Sequence, residues 1–347
     1  NSFVGNPNIK PELFAEFEYG VEMKLFSRVN LDLTYFTRIT EDLIIGNNPI
    51  PLSTGAGFTS TNVGEIKSWG IEAELGLDVL KRSEGFNWNV NVNFFANESE
   101  VTDIGDNDIL IYAGFTNLGN GARVGYPLGA MFGSRIARDE DGNLLVDGVG
   151  NYLADQVDED GVLPFIGDPN PDFVMNYTNT FEYKGLSLGF AINHTSGGDI
   201  YSTTTATLMG RGLTTDTENR LSTYILPGVN INTGLPNDIQ INNSNFYFDN
   251  GFASPADELS VYDGSVVRLR EVNIAYSLPS KLLNKTPFGK VTIKASAFNM
   301  WYNAYNTPDG VNFDPNTTGL GAGNGQGFEF LTGPSSKRYG MSVNLSF

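Results

Sequence analysis

The sequence holds a single imidazole, His194 in "AINHTSGG", and no cysteine. Without a recognisable nucleophile turn, one His cannot assemble a Ser-His-Asp relay. The absence of Cys removes thiolate nucleophiles, thiolate metal sites and disulfides together. His194 reads as a solvated residue at a strand end, with a ligand contact as the functional alternative. The run "DEDG" occurs at 139–142 and again at 158–161. A calcium loop of the EF type needs a ligand at its first position and a Glu at its twelfth. Setting Gly142 or Gly161 at the central glycine puts Ala137 or Gln156 first, and the Glu is missing. Both runs are therefore expected to be solvated acidic loops, with calcium as the competing reading. "GLGAGNGQG" at 319–327 has the glycines of a phosphate cradle but no following Lys-Ser or Lys-Thr, so a flexible loop is expected. Glu16, Glu18 and Glu22, like Glu72 and Glu74, fall on one side of an alternating segment. Paired carboxylates can do acid-base work, but here they are read as groups that keep one face wet. No catalytic residue, no metal ligand and no cofactor is expected. Tyr201, Tyr224 and Tyr247 lie in long connections and are the candidates for stacking on a sugar or packing a peptide.

The elements that would position these groups alternate with period two over long runs. In "FEYGVEMKLF", Phe17, Tyr19, Val21, Met23 and Leu25 share one face and Glu18, Gly20, Glu22 and Lys24 the other. Leu31, Leu33 and Tyr35 follow after a tight turn near Ser27. Ile71, Ala73, Leu75, Leu77 and Val79 alternate next, then Trp88, Val90, Val92 and Phe94 against a row of Asn. The pattern returns at 173–185, 186–193, 271–278 and 291–299, and in the closing "RYGMSVNLSF". Weaker candidates lie near 102–112 and 122–137, giving roughly ten strands. They are longer than the 5–6 residues usual in globular sheets and match the ~9–11 that a tilted strand needs to cross a bilayer. Trp69, Trp88, Tyr126, Phe132, Trp301, Tyr302 and Tyr305 sit near predicted strand ends, where most would form interfacial girdles.

Composition agrees with this class. The formal net charge is −19, which argues against nucleic acid. Mean hydropathy is −0.19, too polar for a bundle of membrane helices. No basic and then apolar leader opens the sequence at "NSFVGNPNIKPEL". Short connections around residues 27 and 185 and at 278–290 alternate with long acidic or Gly/Asn-rich ones at 40–62, 97–120, 138–171, 196–262 and 301–335. A segment as long as 196–262 is foreign to a compact soluble domain but ordinary outside a barrel. In hydrocarbon every backbone polar group must be paired, so a spanning sheet closes on itself. The expected fold is therefore all-β, an antiparallel transmembrane β-barrel of outer-membrane type. Its final residue, Phe347, is expected in an interfacial girdle. The alternative is a non-transporting all-β binding or adhesion module at the cell surface.

Several stretches carry a resemblance. "NPNIKPELFAEFEYGVEMKLF", "NVGEIKSWGIEAEL", "IGDPNPDF" before "YKGLSLGFAIN", "YDGSVVRLREVNIAYSLPSKLL", "AFNMWY" and "PSSKRYGMSVNLSF" occur in that order from residue 6 to 347. In these segments the chain resembles the C-terminal barrel portion of SusC/RagA-type TonB-dependent transporters of the Bacteroidetes outer membrane. The resemblance implies that residues 1–347 are the last strands of a 22-stranded barrel with long extracellular loops. It implies that a plug domain, a TonB-contacting region and the earlier strands belong to sequence not present in this chain. A terminal Phe also resembles the signal read by the barrel-insertion machinery. The implied function is active import of a large nutrient, a glycan oligomer or an oligopeptide. The implied partners are a SusD-like surface lipoprotein over the extracellular mouth, TonB, the oligosaccharide or peptide substrate, and outer-membrane lipid.

Overall fold

A computed structural model describes residues 3–115, 117–249, 256–311, 313–316 and 325–347. Nine long strands dominate it: β1 Leu13–Leu25, β2 Val29–Glu41, β3 Glu65–Leu80, β4 Asn87–Asp103, β5 Pro171–Tyr183, β6 Leu186–Gly197, β7 Val266–Ser277, β8 Lys290–Asn303 and β9 Arg338–Ser346. Each pairs antiparallel with its neighbour in sequence, in the order β1 to β9, so the sheet is one continuous meander. The sheet is open, with β1 and β9 as its edges. Strand lengths run from 9 residues in β9 to 17 in β4. All nine strongly alternating segments of the sequence become these strands. The two weaker ones add no strand of their own to the sheet. Residues 102–103 end β4, 110–112, 122 and 131–132 fall in a separate four-stranded sheet formed by 110–115, 118–122, 131–132 and 165–167, and 135–136 pair with 154–155. Glycine shapes the small sheet: a Cβ on Gly119, between the two segments, would stand 2.3 Å from the Ala113 carbonyl oxygen. These strands need close backbone approach rather than a row of large side chains.

Register carries the alternation from strand to strand. Leu31, Leu75, Val92, Tyr177, Ile192 and Leu269 are successive cross-strand partners. Nearer the other rim, Trp88, Phe181, Leu188, Ile274, Ala295 and Met341 form a second row. On the opposite face, Glu22, Asp32, Glu74, Asn93, Asn176, Asn193, Arg268 and Tyr302 form an unbroken polar row. A slip of one residue would exchange the two faces, so these rows pin the register. The apolar face is not covered by protein: Leu33, Tyr35, Ile71, Leu188, Ile274, Ile293 and Val343 are all exposed. An exposed apolar surface of this extent marks contact with another apolar phase. No helix of the described residues is long and apolar enough to cross a membrane.

All four short connections fall on one rim, and all four long ones on the other. The short rim holds 26–28, 81–86, 184–185 and 278–289; the long rim holds 42–64, 104–170, 198–265 and 304–337. The β5–β6 hairpin turns on Lys184 (φ 47°) and Gly185 (φ 83°), the pair of positive φ values that matches strand twist in a two-residue turn. The β1–β2 connection uses Phe26 (φ 54°) and Ser27 (φ 53°), with Arg28 N donating to Leu25 O at 3.0 Å. At the short rim Phe347 meets Phe288 with ring centroids 5.2 Å apart, and Gly289 N donates to Ser346 O at 2.7 Å.

Candidate functional site: the polar face and the loop layer

The polar face is not uniform. Along its central row, Glu22, Asp32, Glu74 and Asn93 are exposed, Asn176 is half-buried, and Asn193 and Arg268 are buried. Protein therefore covers the β6–β7 side, while the β1–β4 side stays open. The open side is acidic, with Asp32 directly opposite both Glu22 and Glu74, and Glu72 opposite Thr34. Asp32, Thr34, Glu72, Glu74, Asn93 and Phe95 line a cavity of about 350 Å³ there. Above it, Phe36 lies on Gly70, where a Cβ would come within 2.7 Å of the ring.

The cover comes from the long connections, which pack on one another as a layer. Leu118, Met131, Ile166, Tyr201 and Phe328 form one core drawn from three of them. Ile200, Val311 and Phe313 form a second, and Leu226, Ile241 and Phe246 a third. The helix α1, Thr203–Gly210, begins on Ser202, whose hydroxyl accepts from Thr205 N. Glu329 reaches its first turn from a distant connection. Its fully buried carboxylate accepts from Ser202 Oγ and Thr204 N, each at 3.0 Å, from Thr204 Oγ1 at 2.5 Å, and from Thr332 N. A carboxylate at a helix N-terminus is favoured by the exposed N–H groups and the helix dipole.

The three candidate tyrosines all lie in this layer. Tyr201 is 8% exposed and packs on Phe328 with ring centroids 5.7 Å apart. Burial, then the nearby Asp257 charge, pushes its hydroxyl up to about 12. Tyr224 and Tyr247 flank Phe246 at 6.2 and 4.9 Å. Burial raises both hydroxyls above the ordinary tyrosine value. The Tyr224 hydroxyl has no hydrogen-bond partner among the described residues. Tyr224 and Tyr247 share one cluster, and Tyr201 stands in another.

His194 lies near the end of β6 and is half-buried, as a strand-end residue should be. Its register with Met175 and Val267 places it on the apolar face, at the long-loop rim. There its Nε2 lies 3.0 Å from the Tyr305 hydroxyl, and its ring meets Phe173 edge-on. Of the proposed girdle residues, Trp88 and Trp301 stand on the apolar face through their partners Phe181 and Leu269. Tyr302 is on the polar face opposite Arg268. Phe132 is fully buried in the loop layer, with Tyr126 against it at 5.8 Å.

The two acidic runs fold alike, as turns in which the first Asp accepts from backbone N–H groups two and four residues on. They differ in charge pairing. Asp139 is held below the usual carboxylate range mainly by the Asn143 side chain. Burial pushes Asp158 up, but the Arg123 guanidinium and backbone donors outweigh it and hold it low. Arg123 bridges Asp158 and Asp160, so a cation already sits at this turn. Among the described residues no group of three or more His, Asp or Glu could hold a metal ion. Residues 319–324 of the glycine run lie outside the described residues.

Sequence reasoning missed Glu329, Arg123 and the Arg268–Asp314 pair. Each acts through a partner at least 35 residues away. Spacing along the chain carries no trace of such contacts.

The chain is thus an open meander with one apolar and one polar face and its long connections confined to one rim. The family model for TonB dependent receptor-like β-barrels matches residues 1–138. The chain is 24% identical to TonB-dependent receptor P3 of Formosa agariphila over 99% of its own length and 35% of that protein. It is 26% identical to TonB-dependent receptor P26 of the same organism, again over 99% of this chain and 35% of the relative. The chain thus spans about a third of the curated relatives it matches. Among solved structures, the RagAB peptide transporter superposes with a TM-score of 0.68 at 20% identity, over 99% of this chain and 36% of that one. That likeness is one of fold: the all-β meander matches part of the larger structure. All three curated relatives of this kind carry the name TonB-dependent receptor.

Proposed function

We propose that this chain forms wall and extracellular loops of a TonB-dependent importer, as the C-terminal strands of a larger closed barrel. The observation that carries the reading is the pair of register rows. An apolar row and a polar row run on opposite faces of one meander, with every long connection at the same rim. Once its two edges are paired, such a sheet satisfies its backbone and presents side chains to lipid on one face and to water on the other. The edges β1 and β9 would be closed by further strands of the same polypeptide, with a plug and a TonB-contacting segment also outside this chain. The long-loop rim would be the extracellular one, where a SusD-like lipoprotein would sit. The substrate would be a large nutrient, an oligosaccharide or an oligopeptide. The acidic open side favours an uncharged or cationic ligand over an anionic one.

The test is uptake by cells that carry the intact gene and by cells that lack it. Fluorescent oligosaccharides and oligopeptides are supplied separately, with and without dissipation of the proton-motive force. Import of one class that requires both the gene and the force is expected. Equal uptake of every ligand by both strains would overturn the importer reading and leave the adhesion module.

A further inference from the structure

Arg268 occupies the polar row between Asn193 and Tyr302, yet its side chain is only 8% exposed. What covers it are residues 304–311 and 313–316 of segment 304–316, which leaves β8 at the long-loop rim. Arg268 Nη2 donates to Asp314 Oδ1 at 2.8 Å, and the Asp314 side chain is 3% exposed. With its amide turned so that oxygen faces the guanidinium, Asn316 accepts from both terminal nitrogens at 2.9 and 3.1 Å. The rest of the segment is fixed too. Val311 and Phe313 pack on Ile200, and Asn306 Nδ2 donates to Asp263 Oδ2 at 2.6 Å. Thr215 N donates to Asp309 O, and Gly310 lies so close to Thr215 that a Cβ would stand 2.5 Å from its hydroxyl.

We infer that Arg268 is a positioning residue that anchors segment 304–316 over the polar face of β6–β8, so that the segment, not the wall, bounds the passage on this side. The size limit it sets rests on the import reading; the anchoring itself does not. A buried charge that loses its partner is strongly destabilising where it stands. Removing either charge therefore releases the segment rather than merely loosening one contact. The barrel wall is held by its own backbone ladder and is left in place.

The chain has no cysteine, so no thiol of its own competes with an introduced one, and labelling of the full-length protein without the introduced thiol is subtracted as background. In the full-length protein in intact cells, Asn193→Cys is exposed to a membrane-impermeant maleimide, alone and together with Asp314→Asn. Labelling is expected to be slow alone and at least about tenfold faster with Asp314→Asn, as the local opening equilibrium shifts. The double exchange Arg268→Asp with Asp314→Arg should restore slow labelling. Equal rates in the first two backgrounds would overturn the anchor. If Asp314→Asn leaves no folded protein in the outer membrane, Arg268→Lys is used, which keeps the charge but loses the paired donors. It should label at an intermediate rate; a rate equal to that of Asn193→Cys alone would again overturn the anchor. The size limit is read separately, as entry of a bulky hydrophilic antibiotic into Asp314→Asn cells. Faster labelling without wider entry would overturn the size role and leave the import reading untouched.

Discussion

Glu329 and Thr204 are joined twice: the Glu329 carboxylate accepts from the Thr204 backbone N–H at 3.0 Å and from its hydroxyl at 2.5 Å. They lie 125 residues apart in sequence. The carboxylate has no cationic partner among the described ion pairs, so its stabilisation comes from donors alone. Glu329→Gln keeps the shape but turns an amide N–H₂ toward those donors. A loss of about 1–3 kcal/mol in the loop layer is expected, the cost of leaving buried groups unsatisfied. Limited proteolysis should find new cleavage within 198–265 and 304–337, while the heat-modifiable band reporting the wall stays. Unchanged protection would show that α1 does not depend on this residue.

The β1–β2 turn holds a removable strain. Phe26 and Ser27 both have positive φ, a conformation that costs an L-residue roughly 1–2 kcal/mol and costs glycine almost nothing. Ser27→Gly is expected to stabilise the protein by about 1 kcal/mol, partly offset by the greater freedom of glycine in the unfolded chain. Urea unfolding in lipid vesicles measures this. A lower midpoint for Ser27→Gly would refute it.

Asp199 gives the loop layer a pH dependence. Burial raises its pKa above the ordinary 3.8; the Asp168 backbone N–H opposes this, and the Asp263, Asp168 and Asp172 charges add to it. The folded protein therefore binds the proton more tightly than the unfolded chain. The associated stability is fully present below 3.8 and is lost as pH rises through the raised folded value. Asp199→Asn should raise the thermal midpoint of the loop layer at neutral pH, and the advantage should shrink as pH falls toward 4. A constant advantage at all pH values would assign the effect to packing instead.

The two faces should answer differently to charge. Leu75 lies in the middle of the apolar face and Asn91 on the polar one. On the proposed reading of this face as lipid-facing, Leu75→Arg is expected to cost about 2–4 kcal/mol, as a charge near the midplane of such a wall does. Asn91→Arg should cost far less. The folded fraction after refolding into vesicles distinguishes them; equal losses would mean that the faces are not in different solvents.

These predictions divide by how far apart in sequence the responsible residues lie. The faces of β1 to β9 were legible because alternation is local: Leu75 and Glu74 differ in fate by one position. The turn at Lys184 and Gly185 was legible as a short connection for the same reason. The segments near 102–112 and 122–137 were not, because the small sheet they border is built on close backbone approach at Gly114, Gly119 and Gly121 between them, which leaves no alternating pattern. The strand-end position of His194 was legible, but its face was not, because that is fixed by pairing with Met175 on another strand. The tyrosines were found as loop residues, but their packing on Phe328 and Phe246 depends on partners that no spacing rule connects. The charged contacts at Glu329, Arg123 and Arg268 were invisible for the same reason.

The core of Leu118, Met131, Ile166, Tyr201 and Phe328 takes its members from three separate connections. None of these can acquire its final shape until strands on both sides have been threaded and aligned. Maturation of the outer surface is therefore a late, all-together event that follows wall assembly. An epitope tag or a protease nick placed in any one of the three should disturb antibody recognition of the other two.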